Sequence, residues 1–335
     1  MRKRIALGVA AAFLVVAMLG AAFVGAADLN PLATAAALLH LPTSLDPLDK
    51  AVLFQIRLPR VVLGALVGGL LSLAGAGYQG VFRNPLVDSG MLGASAGAGL
   101  GATLAIVYLG AEHEALPVAA FVGSLAGVAV AYATGAAASR RTILGGGVAT
   151  LLLAGIAVGS FLTAVQTFVL QRSASDIQVV YSWLLGSLSA ASWQQVTTIL
   201  PYAAVSSIVI LLHGRHLDVL AVGDEEASAL GLRPDTVRLI VVAASALAAA
   251  SAVAVSGLIG FVGIVIPHVA RRLVGPSYTI VLPLSGLLGA GFLVLADTLA
   301  RTVLSPAELP IGVVTALVGA PAFVWVLRGT SHVRT

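Results

Sequence analysis

The chain has 335 residues, of which 59% are hydrophobic and 10% charged, with 18 Lys and Arg against 14 Asp and Glu for a net charge of +4. A soluble domain carries about 25% charged residues, so the composition excludes one and predicts an all-α, polytopic membrane protein with room for about ten spans. Cysteine is absent, which excludes disulfides, zinc–thiolate centres and iron–sulfur sites.

The N-terminus carries Arg2, Lys3 and Arg4, then an apolar run from Ile5 to Ala27. A cleaved signal peptide is the competing reading, since Gly25, Ala26 and Ala27 are small. A signal h-region is about 7–15 residues long, and this run exceeds it, so a first span with a cytoplasmic N-terminus is expected. Further spans are expected near 61–82, 92–110, 116–138, 143–170, 192–212, 236–256, 258–274, 281–300 and 310–328. The run at 143–170 is long enough to bend, and Gly145, Gly146 and Gly147 suit a non-helical entry. Between it and the next span, Asp176 to Ala191 reads as a short interfacial helix, with Trp183 and Trp193 at the level indole rings prefer. Gly64, Gly68, Gly69, Gly75 and Gly77 let the second span pack closely on its neighbours.

Thirteen of the 18 basic residues then fall on the cytoplasmic side: Arg2, Lys3, Arg4, Arg83, Arg140, Arg141, Arg215, Arg233, Arg238, Arg271, Arg272, Arg328 and Arg334. Lys50, Arg57, Arg60, Arg172 and Arg301 fall outside, an asymmetry that obeys the positive-inside rule. The same topology puts a charged island on the cytoplasmic face. Asp218 to Gly231 holds Asp218, Asp224, Glu225 and Glu226, four of the 14 acidic residues, between long apolar runs. Charges there would cost about 2.5 kcal/mol or more each in hydrocarbon, so the island lies at a surface. It is closed by Gly231 and Pro234, which predicts one or two small helices. A helical knob of this kind suits a soluble partner; an ordinary solvated loop is the alternative.

Chemistry is sparse. Lys3 and Lys50 are the only lysines and neither ends a glycine-rich loop, so no Walker A phosphate cradle exists. No Ser-His-Asp, H-E-x-x-H or paired-carboxylate pattern occurs, and His268, beside Pro267, reads as structural. Asp297 is the main charge expected inside a span, near its outer end. Ion-driven carriers need ionisable groups within the bundle, so their scarcity disfavours proton or sodium coupling and leaves an external energy source.

These residues also carry a family likeness. R-L-P-R at 57–60, the glycine run from Gly64 to Gly80, R-N-P-L at 83–86 and G-D-E-E-A-S-A-L-G at 223–231 resemble the permease subunits of type II ABC importers for ferric siderophores, haem or cobalamin. So do S-G-x-I-G-F-V-G-I-V-I-P-H-V-A-R at 256–271, L-A-D-T-L-A-R at 295–301 and A-E-L-P-I-G-V-V-T-A-L-V-G-A-P at 307–321. Ser89 departs from the proline often found there. The likeness implies one permease domain over residues 1–335 in a bacterial or archaeal cytoplasmic membrane. It implies a homodimer around a central path, two cytoplasmic ATPase subunits and an extracytoplasmic binding protein, with no nucleic acid. This chain would bind no cofactor and no metal of its own, and ATP–Mg would sit on the ATPases. Asp218, Gly223, Asp224, Glu225, Glu226, Ala227, Leu230 and Gly231 would form the ATPase-coupling helices. Arg57, Arg60 and Arg301 would dock glutamates of the binding protein; the alternative is that Arg57 and Arg60 merely anchor the second span at the headgroups. A path for large chelates needs small and apolar walls, which the Gly and Ala of the second and fifth spans fit as well as they fit helix packing. A ferric siderophore is the leading cargo. An ion-coupled secondary transporter and a non-transporting scaffold or receptor are the alternatives.

Overall fold

The computed structural model describes residues 2–25, 27, 29–110, 115–139 and 147–330. Arg140, Arg141, Gly145, Gly146 and Arg334 lie outside the described residues. Within them the chain is helical, without strands. In order come α1 (Arg2–Phe23), α2 (Pro31–Leu38) and α3 (Pro47–Ala51), which runs through a π-helical stretch (Val52–Arg57) into α4 (Leu58–Phe82). Then follow α5 (Ala94–Leu109), α6 (Ala115–Ser139), α7 (Gly147–Arg172), α8 (Ile177–Leu184) and α9 (Trp193–Leu212). The remainder is α10 (Gly214–Leu220), α11 (Asp224–Ala229), α12 (Pro234–Ser256), α13 (Val262–Val274), α14 (Tyr278–Thr302) and α15 (Ile311–Thr330).

Ten of these helices fall on the ten expected spans, and α8 is the expected short helix after the fifth. Among the described residues, seven helices are long and apolar enough to cross a membrane, with α5 and the described part of α15 shorter. The expectation at 258–274 needs correction. α13 has 13 residues, so it rises about 20 Å against a hydrocarbon core of about 30 Å. Gly257 to Phe261 precedes it without helix, and Gly257 and Ile259 in it are buried. Non-helical backbone at membrane depth survives only when enclosed by protein or lining a cavity, and this segment does both.

α4 is the centre of the bundle. Nearly all of its residues from Pro59 to Phe82 are buried, and it packs on α14, α12, α13 and α9. Its glycines permit this. A Cβ on Gly68 would collide with the Gly289 carbonyl of α14, and one on Gly75 with the Gly263 carbonyl of α13. The second span's small residues are therefore used for packing rather than for lining a path.

Local sequence sets the ends. Pro59 and Pro234 sit in the first turns of α4 and α12, where a missing N–H costs nothing. α11 ends in a Schellman motif: the Leu232 N–H donates to the Ala227 carbonyl and the Gly231 N–H to that of Ser228. Gly231 takes φ of 83°, a left-handed turn that disfavours any side chain.

Candidate functional site

The two ends of the bundle hold separate charge clusters. At the inner end, the acidic island folds as α10 and α11, the two small helices its sequence predicts. Its residues divide by task. Asp218 faces inward, where Ser277 Oγ donates to its carboxylate at 2.8 Å and the Tyr278 N–H donates at 2.5 Å. It thereby caps the start of α14 and is committed to this chain. Asp224 accepts from Arg83, at the end of α4, at 2.8 Å and from Arg238 of α12 at 2.5 Å. Burial alone would raise the Asp224 carboxyl, but the hydrogen bond and charge of Arg238, then of Arg83, outweigh it and hold it below the ordinary value. Ala227 is fully buried, and Gly223 and Gly231 bound the helix. What remains outward is Glu225, Glu226, Leu230 and Val222, a small acidic and apolar face. Leu230 and Val222 are 72% and 69% exposed.

At the outer end, the three expected docking arginines turn inward. Arg57, Arg60 and Arg301 are 3%, 6% and 5% exposed. Arg57 donates to the carbonyls of Ala22, Phe23 and Ala27, closing the C-terminal end of α1. The π-helical stretch before α4 carries Arg57, and Trp193 Nε1 pins it by donating to the Phe54 carbonyl at 2.8 Å. Arg301 donates to the Ala21 carbonyl at 2.6 Å and lies 3.6 Å from Asp297. Arg60 has its whole fork engaged. Nε and Nη2 donate to Asp297 at 2.8–3.0 Å, and Nη1 and Nη2 donate to Glu308 at 2.7 and 3.0 Å. The expected scarcity of charge pairs inside the bundle is corrected here, since Arg60 and Asp297 are both buried and paired. Desolvation costs several kcal/mol per ion, so the pair survives only because the fork is filled by two carboxylates at good geometry.

Between the ends lies a cavity of about 960 Å³. Its walls are the loop from Asn84 to Gly93, the first turn of α5 and one face of α7, together with Leu184 and Leu258. The α7 face presents Gly155, Gly159, Ser160, Thr163 and Thr167, so the small residues of the fifth span do line space. No charged side chain lines this cavity among the described residues. A second space of about 110 Å³ lies beside it, between Asp88, Ser89, Ser95 and the non-helical Leu258 to Gly260. Leu92 adopts φ of 63° at the wall of the larger space, and Phe261 φ of 68° at the wall of a third, of about 610 Å³, between Leu184, Leu258 and Gly312. Left-handed backbone at such residues costs about 1–3 kcal/mol and collects at functional sites.

Three residues of this arrangement carry no sequence-stated role. Gln79 joins three elements: its amide donates to the Val87 and Gly263 carbonyls, and Arg271 donates to its oxygen. Asp88 borders the smaller cavity, and Glu308 covers Arg60. Gln79 and Glu308 lie in stretches whose pattern carried the family likeness, and Asp88 two residues beyond one, but spacing alone gives no partner for a polar residue.

Comparison with known proteins agrees with this geometry. The pattern of the FecCD transport family matches residues 13–329. The chain is 40% identical over 279 residues to the cobalamin import system permease BtuC of Halobacterium salinarum, covering 83% of this chain and 74% of that one. It is 38% identical over 333 residues to the hemin transport system permease HmuU of Yersinia pestis, covering 97% and 96%. The iron(3+)-hydroxamate import permease FhuG of Bacillus subtilis is 36% identical over 288 residues, covering 83% and 84%. Among solved structures, one described as an inward-facing metal-chelate type ABC transporter superposes with a TM-score of 0.82 at 30% identity, over 96% of this chain and 98% of that one.

Proposed function

Because this chain belongs to the FecCD transport family, permease subunits of iron-chelate, haem and cobalamin type ABC importers, we propose that it forms half of the path for a bulky metal chelate. The observation that carries this is the cavity of about 960 Å³ walled by small, apolar and neutral polar groups. A chelate with its metal charge masked needs volume and weak contacts, whereas a charged wall would trap it. A ferric siderophore is the leading cargo, with haem and corrinoids next.

Two copies pair around a two-fold axis, each contributing one such wall. The chain works as one permease unit in a bacterial or archaeal cytoplasmic membrane. The face of Glu225, Glu226, Leu230 and Val222 seats a cytoplasmic ATPase that holds ATP–Mg, while Asp224 ties that face to α4 and α12. An extracytoplasmic binding protein docks around the Arg57, Arg60 and Arg301 end. All three side chains are buried in the isolated chain, and of the three it is Arg60 that meets the surface through a carboxylate, that of Glu308.

The test is uptake into proteoliposomes holding this chain, its ATPase and its binding protein, assayed with a ferric hydroxamate, haem and cyanocobalamin. ATP-dependent accumulation of one of them is the expected result. Uptake that needs no ATPase and collapses with an uncoupler would mark an ion-driven carrier, for which the buried Arg60–Asp297 pair is the supporting observation. No flux with every component present would leave a scaffold.

A further inference from the structure

We propose that Glu308 is a displaceable carboxylate guarding the Arg60 fork, and that the docking protein binds by exchanging a carboxylate of its own for it. The inference rests on the outer end being the docking face.

The two acids on Arg60 are not equivalent. Asp297 sits in α14, its side chain 3% exposed, and also faces Arg301. Glu308 sits in the linker between α14 and α15, and its side chain is 34% exposed. Both of its carboxylate oxygens accept from Arg60. The linker from Val303 to Glu308 is solvent-exposed throughout, so it can lift without opening the core.

A bare approach to Arg60 fails on energy. Pulling Glu308 away without replacement would leave half of a nearly buried guanidinium unmet, a loss of the kind that costs several kcal/mol. Exchange avoids this. A partner's Asp or Glu restores the same bidentate bonds and the same charge, so the fork is never empty. Only an acidic group reaching it in the correct geometry completes the swap, which rejects partners lacking one.

The swap also has a structural output. Just beyond Glu308, the Leu309 N–H donates to the Ala300 carbonyl, and the Ile311 and Gly312 N–H groups donate to the carbonyls of Gly186 and Leu185 at the end of α8. Leu185 and Gly312 share a cavity wall with Leu184 and Leu258. Release of Glu308 thus frees the segment that seats α15 against that wall.

The experiment uses the whole transporter in nanodiscs and its extracytoplasmic binding protein, with association followed across a salt series. Glu308→Gln should tighten association about fivefold, the size of a competing, partly exposed ion pair removed. Asp49→Asn, a charge-matched change on the same face, should not reproduce the gain. Adding Arg60→Ala to Glu308→Gln should abolish it. A nitroxide on Ala307→Cys, in a chain with no native cysteine, should be immobile alone and mobile once the binding protein is added. Equal gains from Glu308→Gln and Asp49→Asn, or a linker that stays immobile on docking, would overturn the exchange. If Arg60→Ala slows association while Glu308→Gln changes nothing, docking on Arg60 stands and the exchange alone fails. If neither variant changes association, the docking reading fails as well.

Discussion

Arg60 shows what a single side chain is asked to do here. It is buried, it is charged, and the five hydrogen bonds it donates to two carboxylates keep it so. Arg60→Ala would strand Asp297 in the bundle, and it should destabilise the protein by about 3–5 kcal/mol. Arg60→Met with Asp297→Leu should recover only part of that loss, because it removes the stranded carboxylate but takes from buried Arg301 its neighbour at 3.6 Å. Thermal unfolding in detergent reads both, and a double variant no more stable than Arg60→Ala would mean the pair is not where the stability lies. Gly75→Ala tests packing in the same assay: its Cβ meets the Gly263 carbonyl, and overpacking of this kind costs about 1–3 kcal/mol. At this scale the sequence was legible as to kind and illegible as to partner. Arg60, Asp297 and Arg301 could be placed at the outer end from span counting. Their pairing joins residues 237 positions apart, and no periodicity reports such a contact.

Among the elements, α11 carries the sharpest expectations. Its link to the bundle is Asp224, whose carboxyl is held below its ordinary value. A group depressed on folding stabilises above its unfolded pKa, about 3.9 for Asp, and that contribution is lost as pH falls through the folded value. α11 should therefore stay docked from neutral pH down to about 4 and loosen only in stronger acid. Labelling of Ala229→Cys against pH would show it, and loosening already near pH 6 would assign the link to another group. Asp224→Asn should leave ATPase binding intact while uncoupling hydrolysis from uptake, since the outward face survives and only its brace is cut. Reversal of both Glu225 and Glu226 to Lys should do the opposite and weaken ATPase co-purification. Retained co-purification in that double variant would make the two glutamates solvent decoration. The sequence located α10 and α11 well, because a charged island between spans has one place to go and Gly231 marks its end. It did not separate Asp218, which caps α14, from the outward pair, because all four acids look alike in composition. The π-helical stretch before α4 was also invisible, since one extra residue per turn leaves apolar content unchanged.

For the whole molecule, apolar runs placed ten helices within a few residues, and the exception is instructive. The run at 258–274 is apolar enough for a span, yet its helix starts only at Val262, because Gly257 and a left-handed Phe261 break the entry where it is enclosed by protein. Hydropathy measures what lipid or a protein interior tolerates and cannot tell the two apart. α4 carries a different consequence. It is one uninterrupted helix of 25 residues, about 37 Å long, wedged by glycine contacts against α13 and α14. Arg60 stands in its first turn and Arg83 at its last, each gripping a carboxylate that belongs to a more exposed segment. A rod so tightly enclosed cannot bend at one end and stay still at the other; it tilts or turns as a unit. News of docking outside and of nucleotide inside then needs no relay of small rearrangements, because both arrive at opposite ends of the same axle. Glu308→Gln and Asp224→Asn, far apart and sharing no partner, should accordingly act non-additively on transport, and strict additivity would show that the axle does not carry the message.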